Sequence, residues 1–143
     1  MLEHATEHQG IVLHVEDDRV LGESMAMLLN TSGYRTLTAT DGPSALAWVT
    51  EQKLRPDVLI IDANLESDMD GADVAEAVCR ALGQVVPTIL LSGQLSNASM
   101  PWLPGAPIFP VWKPADPDIL LRVVETFAVL GQFIRQHARR VQV

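Results

Sequence analysis

Five short apolar or alternating stretches recur along the chain, and each is followed by polar residues typical of a turn or a helix start. Nearly continuous apolar runs predict buried strands over Ile11 to Val15, Asp57 to Ile61 and Val86 to Leu91. The alternating segment Tyr34 to Thr40 and the segment Pro107 to Trp112 complete a set of five predicted strands.

Helical spacing of apolar residues fills most of the intervals between these strands. It predicts helices over Arg19 to Thr31, Ala45 to Gln52 and Ala72 to Leu82, and a long helix from Asp116-Pro117 to about Arg139. Alternation of strands and helices is typical of a parallel sheet covered on both faces, a doubly wound α/β fold. Ligands of such sheets bind outside the carboxyl ends of the strands.

The polar residues at those strand ends form the candidate site. Strand one ends in Glu16-Asp17-Asp18, strand three in Asp62, strand four in Ser92 and strand five in Lys113-Pro114. Carboxylates gathered in one cleft repel each other unless a proton or a cation intervenes. Oxygen ligands favour a hard ion, Mg²⁺ or Ca²⁺, over zinc.

Phosphoryl transfer is a chemistry that suits this set of residues. Asp62 is a candidate nucleophile, because carboxylates form aspartyl-phosphate intermediates. Lys113 would neutralise the phosphoryl oxygens, and Ser92 would donate a hydrogen bond to one of them.

Length and composition narrow the class of protein. The 143 residues fit one domain, and we expect a flexible leader at 1–10, the domain at 11–130 and an extension of the last helix at 131–143. The net charge of −8 disfavours direct nucleic-acid binding. No apolar run is long enough to span a membrane, no signal peptide is recognisable, and Cys79 has no cysteine to pair with, so a cytoplasmic location is expected.

The chain resembles the response regulator receiver family over roughly residues 10–130. The resemblance is carried by five motifs in order, each at a predicted strand end or helix start: VEDD at 15–18, PDVLIID at 56–62, DG at 70–71, ILLSG at 89–93 and WKP at 112–114. It implies a five-stranded parallel sheet in the flavodoxin-like order 2-1-3-4-5. It also implies a phosphoacceptor that receives its phosphoryl group from a histidine kinase or a phosphotransfer protein.

The resemblance also implies roles for individual residues. Glu16 and Asp17 match the acidic pair that holds Mg²⁺, and Asp62 matches the phosphorylated aspartate, itself a metal ligand. Asn64 matches the residue whose backbone carbonyl completes the metal shell.

Two further roles follow from the same resemblance. Ser92 matches the switch hydroxyl of the family. Lys113 matches the family's lysine, and its bond to Pro114 matches one that is cis in the family. Such a protein is not an enzyme in the ordinary sense, since it would catalyse only its own phosphorylation and dephosphorylation.

Three features depart from the family pattern. The loop after the acceptor aspartate is one residue longer and has Glu66 where a proline is usual. Pro110 stands where Tyr or Phe is common, with Phe109 one place earlier. Residues 93–106 contain two prolines, which predicts that the fourth helix is short, displaced or absent and that this segment is the least ordered.

Structural roles are the simpler interpretation for several other residues. We expect Asp18 to cap the first helix and Asp70 the third, rather than to bind metal. His14 lies within the first strand and is expected to be a hydrogen-bonded core histidine, and Cys79 a small core residue.

Two classes of function remain open on the sequence alone. The first is a phosphoacceptor that signals by protein contact, either as a stand-alone regulator, shuttle or sink, or as the receiver of a hybrid kinase. The second is a pseudo-receiver, an interaction module of the same fold that is not phosphorylated. Flavodoxin-like cofactor binding is disfavoured, because Glu16-Asp17-Asp18 would repel a phosphate without a metal.

The C-terminal helix suggests a partner surface. One stripe that includes Leu120, Val124 and Phe127 should face the sheet, whereas Val129 and Phe133 fall off it. We therefore expect residues 120–139 to form a homodimer or to dock another protein. A bend or an end of the helix at Gly131 would weaken this argument.

Overall fold

The computed structural model describes residues 8–65, 68–93 and 108–141, with side chains to residue 137 in the last helix. Five parallel strands form a single sheet in the order β2-β1-β3-β4-β5, which confirms the predicted doubly wound α/β fold. The strands are β1 Ile11–Val15, β2 Arg35–Ala39, β3 Val58–Asp62, β4 Thr88–Ser92 and β5 Ile108–Trp112.

Four helices are described, and their starts follow the capping signals of the sequence. They are α1 Arg19–Thr31, α2 Gly42–Thr50, α3 Gly71–Leu82 and α4 Pro117–Val141, the C-terminal helix. The Asp18 side chain accepts hydrogen bonds from two backbone N–H groups of α1, and Asp70 caps α3, both as predicted.

The helices cover both faces of the sheet with two hydrophobic layers. Odd-numbered residues of β1 and β3, such as Leu13 and Leu59, pack under α2 and α3. Even-numbered residues, such as Val12 and Ile60, pack under α1 and α4. β3 is buried along its whole length, which places its last residue, Asp62, at the centre of the carboxyl edge.

Helix α4 continues past Gly131, which confirms the prediction of a long helix to about Arg139 and shows that this glycine does not end it. Gly131 instead lies directly on the backbone of Asp57, just before β3. A Cβ added there would lie 2.8 Å from the Asp57 carbonyl carbon and closer still to its oxygen. The glycine therefore permits a close approach between α4 and the sheet.

The exposure of side chains along α4 agrees with the predicted stripe. Leu120 and Val124 are buried against the sheet, whereas Val129 and Phe133 are 65% and 55% exposed. None of the described helices is long and apolar enough to cross a bilayer.

Strand β5 lies at one edge of the sheet and has Pro110 at its middle position. Lys113 donates its backbone N–H to the carbonyl of Ser92 at 2.7 Å. Because backbone N–H directions alternate along a strand, the nitrogen of Pro110 faces away from β4. The missing donor thus costs the sheet no hydrogen bond. The predictions for Glu66 and for nearly all of the fourth-helix segment concern residues outside the described ranges.

Candidate functional site

Three of the predicted acidic residues meet at the carboxyl edge of the sheet. Glu16 and Asp17 follow β1 and Asp62 ends β3, and these two strands are paired in parallel. One carboxylate oxygen from each lies within 4.8 Å of those of the other two. They line an open cleft of about 530 Å³ together with Asn64 and Lys113.

Asp62 is held from both sides of its carboxylate. Lys113 Nζ lies 3.0 Å from Asp62 Oδ2, and the backbone N–H of Asn64 donates to Oδ1 at 2.9 Å. The Asp62 side chain is only 7% exposed, whereas Lys113 is 34% exposed. A buried carboxylate with one cationic partner and an approach from solvent is suited to act as a nucleophile on a phosphoryl group.

The surroundings of Glu16 shift the pKa of its carboxyl group strongly. Burial raises its pKa to about 7, the backbone N–H of Asp18 opposes the rise, and the neighbouring Asp62 adds to it. A cation in the same cleft would stabilise the ionised form of Glu16, which burial disfavours.

The donor set of the cleft fits a hard divalent ion. All three converging side chains offer carboxylate oxygens, and the described part of the chain adds no sulfur or imidazole ligand to the cluster. Mg²⁺ prefers such ligands and usually keeps several waters, for which the open cleft has room.

The Asp70-Gly71 pair supports the loop that follows Asp62. A Cβ added to Gly71 would lie 2.5 Å from the Asp62 carbonyl oxygen and 3.0 Å from Ala63 Cα. The start of α3 is therefore pressed against the backbone of the acceptor strand, where only glycine fits. This packing gives the sequence motif at 70–71 a physical reason.

Ser92 and Pro114 lie next to the cleft rather than in its lining. Ser92 is half-buried at the end of β4, and its carbonyl accepts the N–H of Lys113. Among the described residues, those that line the acidic cleft do not include Ser92. The peptide bond between Lys113 and Pro114 is cis, as the resemblance implied.

His14 is a core residue, as expected, but the predicted hydrogen bond is wrong. The side chain is 1% exposed, and neither ring nitrogen has a hydrogen-bond partner among the described residues. Burial lowers its pKa to about 4, although the charge of Asp62 acts in the opposite direction and that of Lys113 adds to the lowering. The ring is therefore uncharged at neutral pH.

Asp57 is a buried acid that sequence reasoning treated only as the start of a strand. Its Oδ2 accepts the N–H of Ile11 at 2.9 Å, and Arg135 Nη1 lies 3.3 Å from Oδ1, within ion-pair distance but outside hydrogen-bond geometry. Burial raises the pKa of Asp57, and these two partners partly offset the rise. This contact connects α4 to the edge of the sheet opposite the cleft. In the sequence, the only sign of it was that Asp57 stands directly before an apolar run.

Comparison with known proteins agrees with this architecture. Over 83 residues the chain is 40% identical to the probable transcriptional regulatory protein TcrX of Mycobacterium tuberculosis, an alignment that covers 58% of this chain and 34% of that protein. The chain thus spans about a third of the length of the curated relatives that it matches.

Solved structures of other proteins share this fold. The N-terminal domain of a response regulator/sensory box/GGDEF three-domain protein from Carboxydothermus hydrogenoformans superposes with a TM-score of 0.74 at 26% identity, covering 85% of this chain and 96% of that one. Chemotaxis protein CheY4 of Vibrio cholerae superposes with a TM-score of 0.69 at 30% identity, covering 82% and 97%. Residues 12–124 match the family model of the response regulator receiver domain, so the chain belongs to the receiver domain family of two-component response regulators.

Proposed function

We propose that this chain is a cytoplasmic phosphoacceptor that takes a phosphoryl group onto Asp62 with the help of Mg²⁺. The observation that carries the proposal is the ion pair of 3.0 Å between Lys113 Nζ and Asp62 Oδ2, with two further carboxylates beside it. Glu16, Asp17, Asp62 and the backbone carbonyl of Asn64 are the proposed metal ligands. The domain proper would be residues 11–130, with residues 131–143 as an extension of its last helix.

In the transfer step, an oxygen of Asp62 would form a bond to phosphorus as the bond from phosphorus to the donor's imidazole nitrogen breaks. The donor would be a phosphohistidine of a histidine kinase or of a phosphotransfer protein. Bound Mg²⁺ would supply charge neutralisation for the phosphoryl oxygens.

The side chains of this chain would position and neutralise the transferred group. The Lys113 side chain is partly exposed, so it could move from Asp62 towards the phosphoryl oxygens. The backbone N–H of Asn64 would hold the acceptor carboxylate in place. Ser92 lies at the end of β4, the strand next to β3, and its hydroxyl would donate a hydrogen bond to a phosphoryl oxygen after transfer. The catalysis is then mainly positioning and charge neutralisation.

The test is the intact mass of the protein after incubation with acetyl phosphate and Mg²⁺. The wild type should gain the mass of one phosphoryl group, and Asp62→Asn should gain none while keeping its circular dichroism spectrum. Asp68→Asn is the matched control, since Asp68 is an exposed loop acid. If the wild type gains no mass, or if Asp62→Asn gains it at the wild-type rate, the proposed nucleophile is wrong, and the first result would favour the pseudo-receiver.

Signalling would then proceed through protein contact, and α4 offers a surface for it. Val129 and Phe133 are exposed on the side of the helix that faces away from the core, and Arg135 lies close by with its charge engaged by Asp57. We propose that residues 120–139 form a homodimer interface or a docking site for another protein.

A further inference from the structure

Helix α4 carries a second stripe of mainly apolar residues, separate from the stripe that packs on the sheet. Its members follow each other at alternating spacings of four and three residues, which keeps them on one side of an α-helix. Four of the six are apolar, and all six are exposed or half-buried. They are Ile119, Val123, Thr126, Leu130, Phe133 and His137, and we call them the α4 seam.

The seam can be buried without stranding a charge. It contains no lysine, arginine, aspartate or glutamate. Its two polar members already have backbone partners: Thr126 Oγ1 donates to the Arg122 carbonyl at 3.1 Å, and His137 Nδ1 lies 3.0 Å from the Phe133 carbonyl oxygen. A partner surface therefore needs to supply neither a counter-ion nor a hydrogen bond to the Thr126 hydroxyl.

The helix that presents the seam is fixed before any partner binds. Gly131 packs directly on the backbone of Asp57, and Arg135 Nη1 lies 3.3 Å from Asp57 Oδ1. These contacts are on the sheet side of α4 and leave the seam uncovered by the described residues. Because the helix is already formed, association does not have to compensate for the entropy of ordering it.

The exposed apolar area is of the size that a dimer contact needs. Ile119 and Phe133 of the seam are 54% and 55% exposed. Beside the seam, Val129 is 65% exposed, and Phe109 of β5, which packs edge-on against Phe127, is 44% exposed. At about 200 Å² for a phenylalanine and about 100 Å² for an aliphatic side chain, the seam and its flanks offer roughly 400 Å². Each partner of a standard-sized homodimer buries about 500 Å² of apolar surface.

The charge of the protein restricts how two copies can approach each other. At a net charge of −8 the copies repel, so contact is favoured through a face that is poor in carboxylates. Glu125 is the one acidic residue of the sequence between Ile119 and His137, and it lies about 100° around the helix from the adjacent Thr126.

We propose that α4 packs along its seam against α4 of a second copy of this chain, in a two-fold symmetric pair. Alternating spacings of four and three residues allow a helix to interdigitate with its own copy at a shallow crossing angle. The same patch then serves both partners, as two-fold symmetry requires. This inference rests on the interaction surface proposed above for residues 120–139, and it selects a second copy as the partner.

Sedimentation equilibrium of the full chain, without Mg²⁺ or a phosphoryl donor, measures the dissociation constant of the dimer. Thr126→Leu makes the centre of the seam apolar and should tighten the dimer about tenfold. Thr50→Leu is the matched control, because Thr50 is an exposed helical threonine whose hydroxyl also donates to the carbonyl four residues earlier, at 2.8 Å. It should leave the dissociation constant unchanged.

A second pair of variants tests whether the contact runs along the whole seam. Ile119 lies 14 residues before Phe133, or about 20 Å along the helix. Ile119→Lys should weaken the dimer about tenfold or more. Asp118→Lys, at the exposed neighbouring residue, should not weaken it, since it only reduces the negative charge of each copy.

Three results would each overturn the proposal: a wild type that is monomeric at its highest soluble concentration, equal effects of Thr126→Leu and Thr50→Leu, or an unchanged dissociation constant in Ile119→Lys. Phosphoryl uptake is measured separately by intact mass. A monomeric chain that still gains the phosphoryl group would therefore refute the dimer and leave the proposed phosphoacceptor function standing.

Discussion

Replacing Gly131 by alanine should destabilise the protein, although alanine is the better helix former. In an exposed helix interior, the exchange of glycine for alanine stabilises by about 1 kcal/mol. At Gly131 the new Cβ would lie 2.8 Å from the Asp57 carbonyl carbon and 3.0 Å from its Cα, and these are backbone atoms that cannot rotate away. Helix α4 would have to move outward, at an overpacking cost of about 1–3 kcal/mol and with a weaker Arg135–Asp57 contact.

The matched control is Gly22→Ala in α1. A Cβ at Gly22 would lie 4.0 Å from Glu16 Cβ, an ordinary van der Waals contact. We therefore expect Gly22→Ala to gain about 0.5–1 kcal/mol and Gly131→Ala to lose up to about 2 kcal/mol, the overpacking cost less the gain in helix propensity. Urea unfolding followed by circular dichroism measures both free energies, with equal m-values as the condition for comparison. A Gly131→Ala protein at least as stable as the wild type would refute the close-approach argument.

Three further predictions concern the acidic cleft and α4. In EDTA, Glu16→Gln should raise the free energy of unfolding by up to about 3 kcal/mol near pH 8 but by less than about 1 kcal/mol near pH 5. The reason is that the pKa of Glu16 rises from 4.5 to about 7 on folding, and each pKa unit is worth about 1.4 kcal/mol. Between pH 4.5 and 7 the native state keeps a proton that the unfolded chain releases, so the stability of the wild type falls as the pH rises. Equal gains at both pH values, or the same gain in the exposed control Glu23→Gln, would contradict this. Asp17→Ala should lower Mg²⁺ affinity about tenfold or more and raise the stability of the metal-free protein, and an unchanged affinity by calorimetric titration would remove Asp17 from the proposed ligands. Phe133→Glu should convert a wild-type dimer into a monomer in sedimentation experiments, whereas a wild type that is monomeric at high concentration would leave only the docking role.

The strands and helix starts could be predicted because their signals are local. A buried parallel strand such as β3 needs a continuous apolar run, and the run DVLII is nearly the strand itself. Asp18 and Asp70 cap the helices that begin one residue later, so each boundary is fixed by a neighbouring side chain.

The meeting of Asp62 and Lys113 could also be predicted, although the two residues are far apart in the chain. Parallel strands bring their carboxyl ends to one edge, so that the fold class alone places β3 and β5 residues on the same side of the sheet. The sequence could not show that Ser92 stands beside the cleft rather than in its lining, because that depends on the angle at which a strand ends.

Contacts between distant segments account for what was missed. The fit of Gly131 on the Asp57 backbone joins α4 to the start of β3, and no local pattern reports a helix-to-sheet distance. His14 was expected to have a hydrogen-bond partner because most buried polar groups do. Whether one is present depends on which side chains the fold brings to the ring, and no described residue offers a partner to either ring nitrogen.

Pro110 has a consequence for association between copies of the sheet. An edge strand normally presents a row of backbone donors and acceptors to which another strand can add. In β5 the nitrogen of Pro110 faces that outer side, so an incoming strand would find no donor at the middle position. The same residue that replaces the family's usual aromatic side chain thus interrupts the ladder that edge-to-edge aggregation requires, while the hydrogen bonds to β4 are left intact.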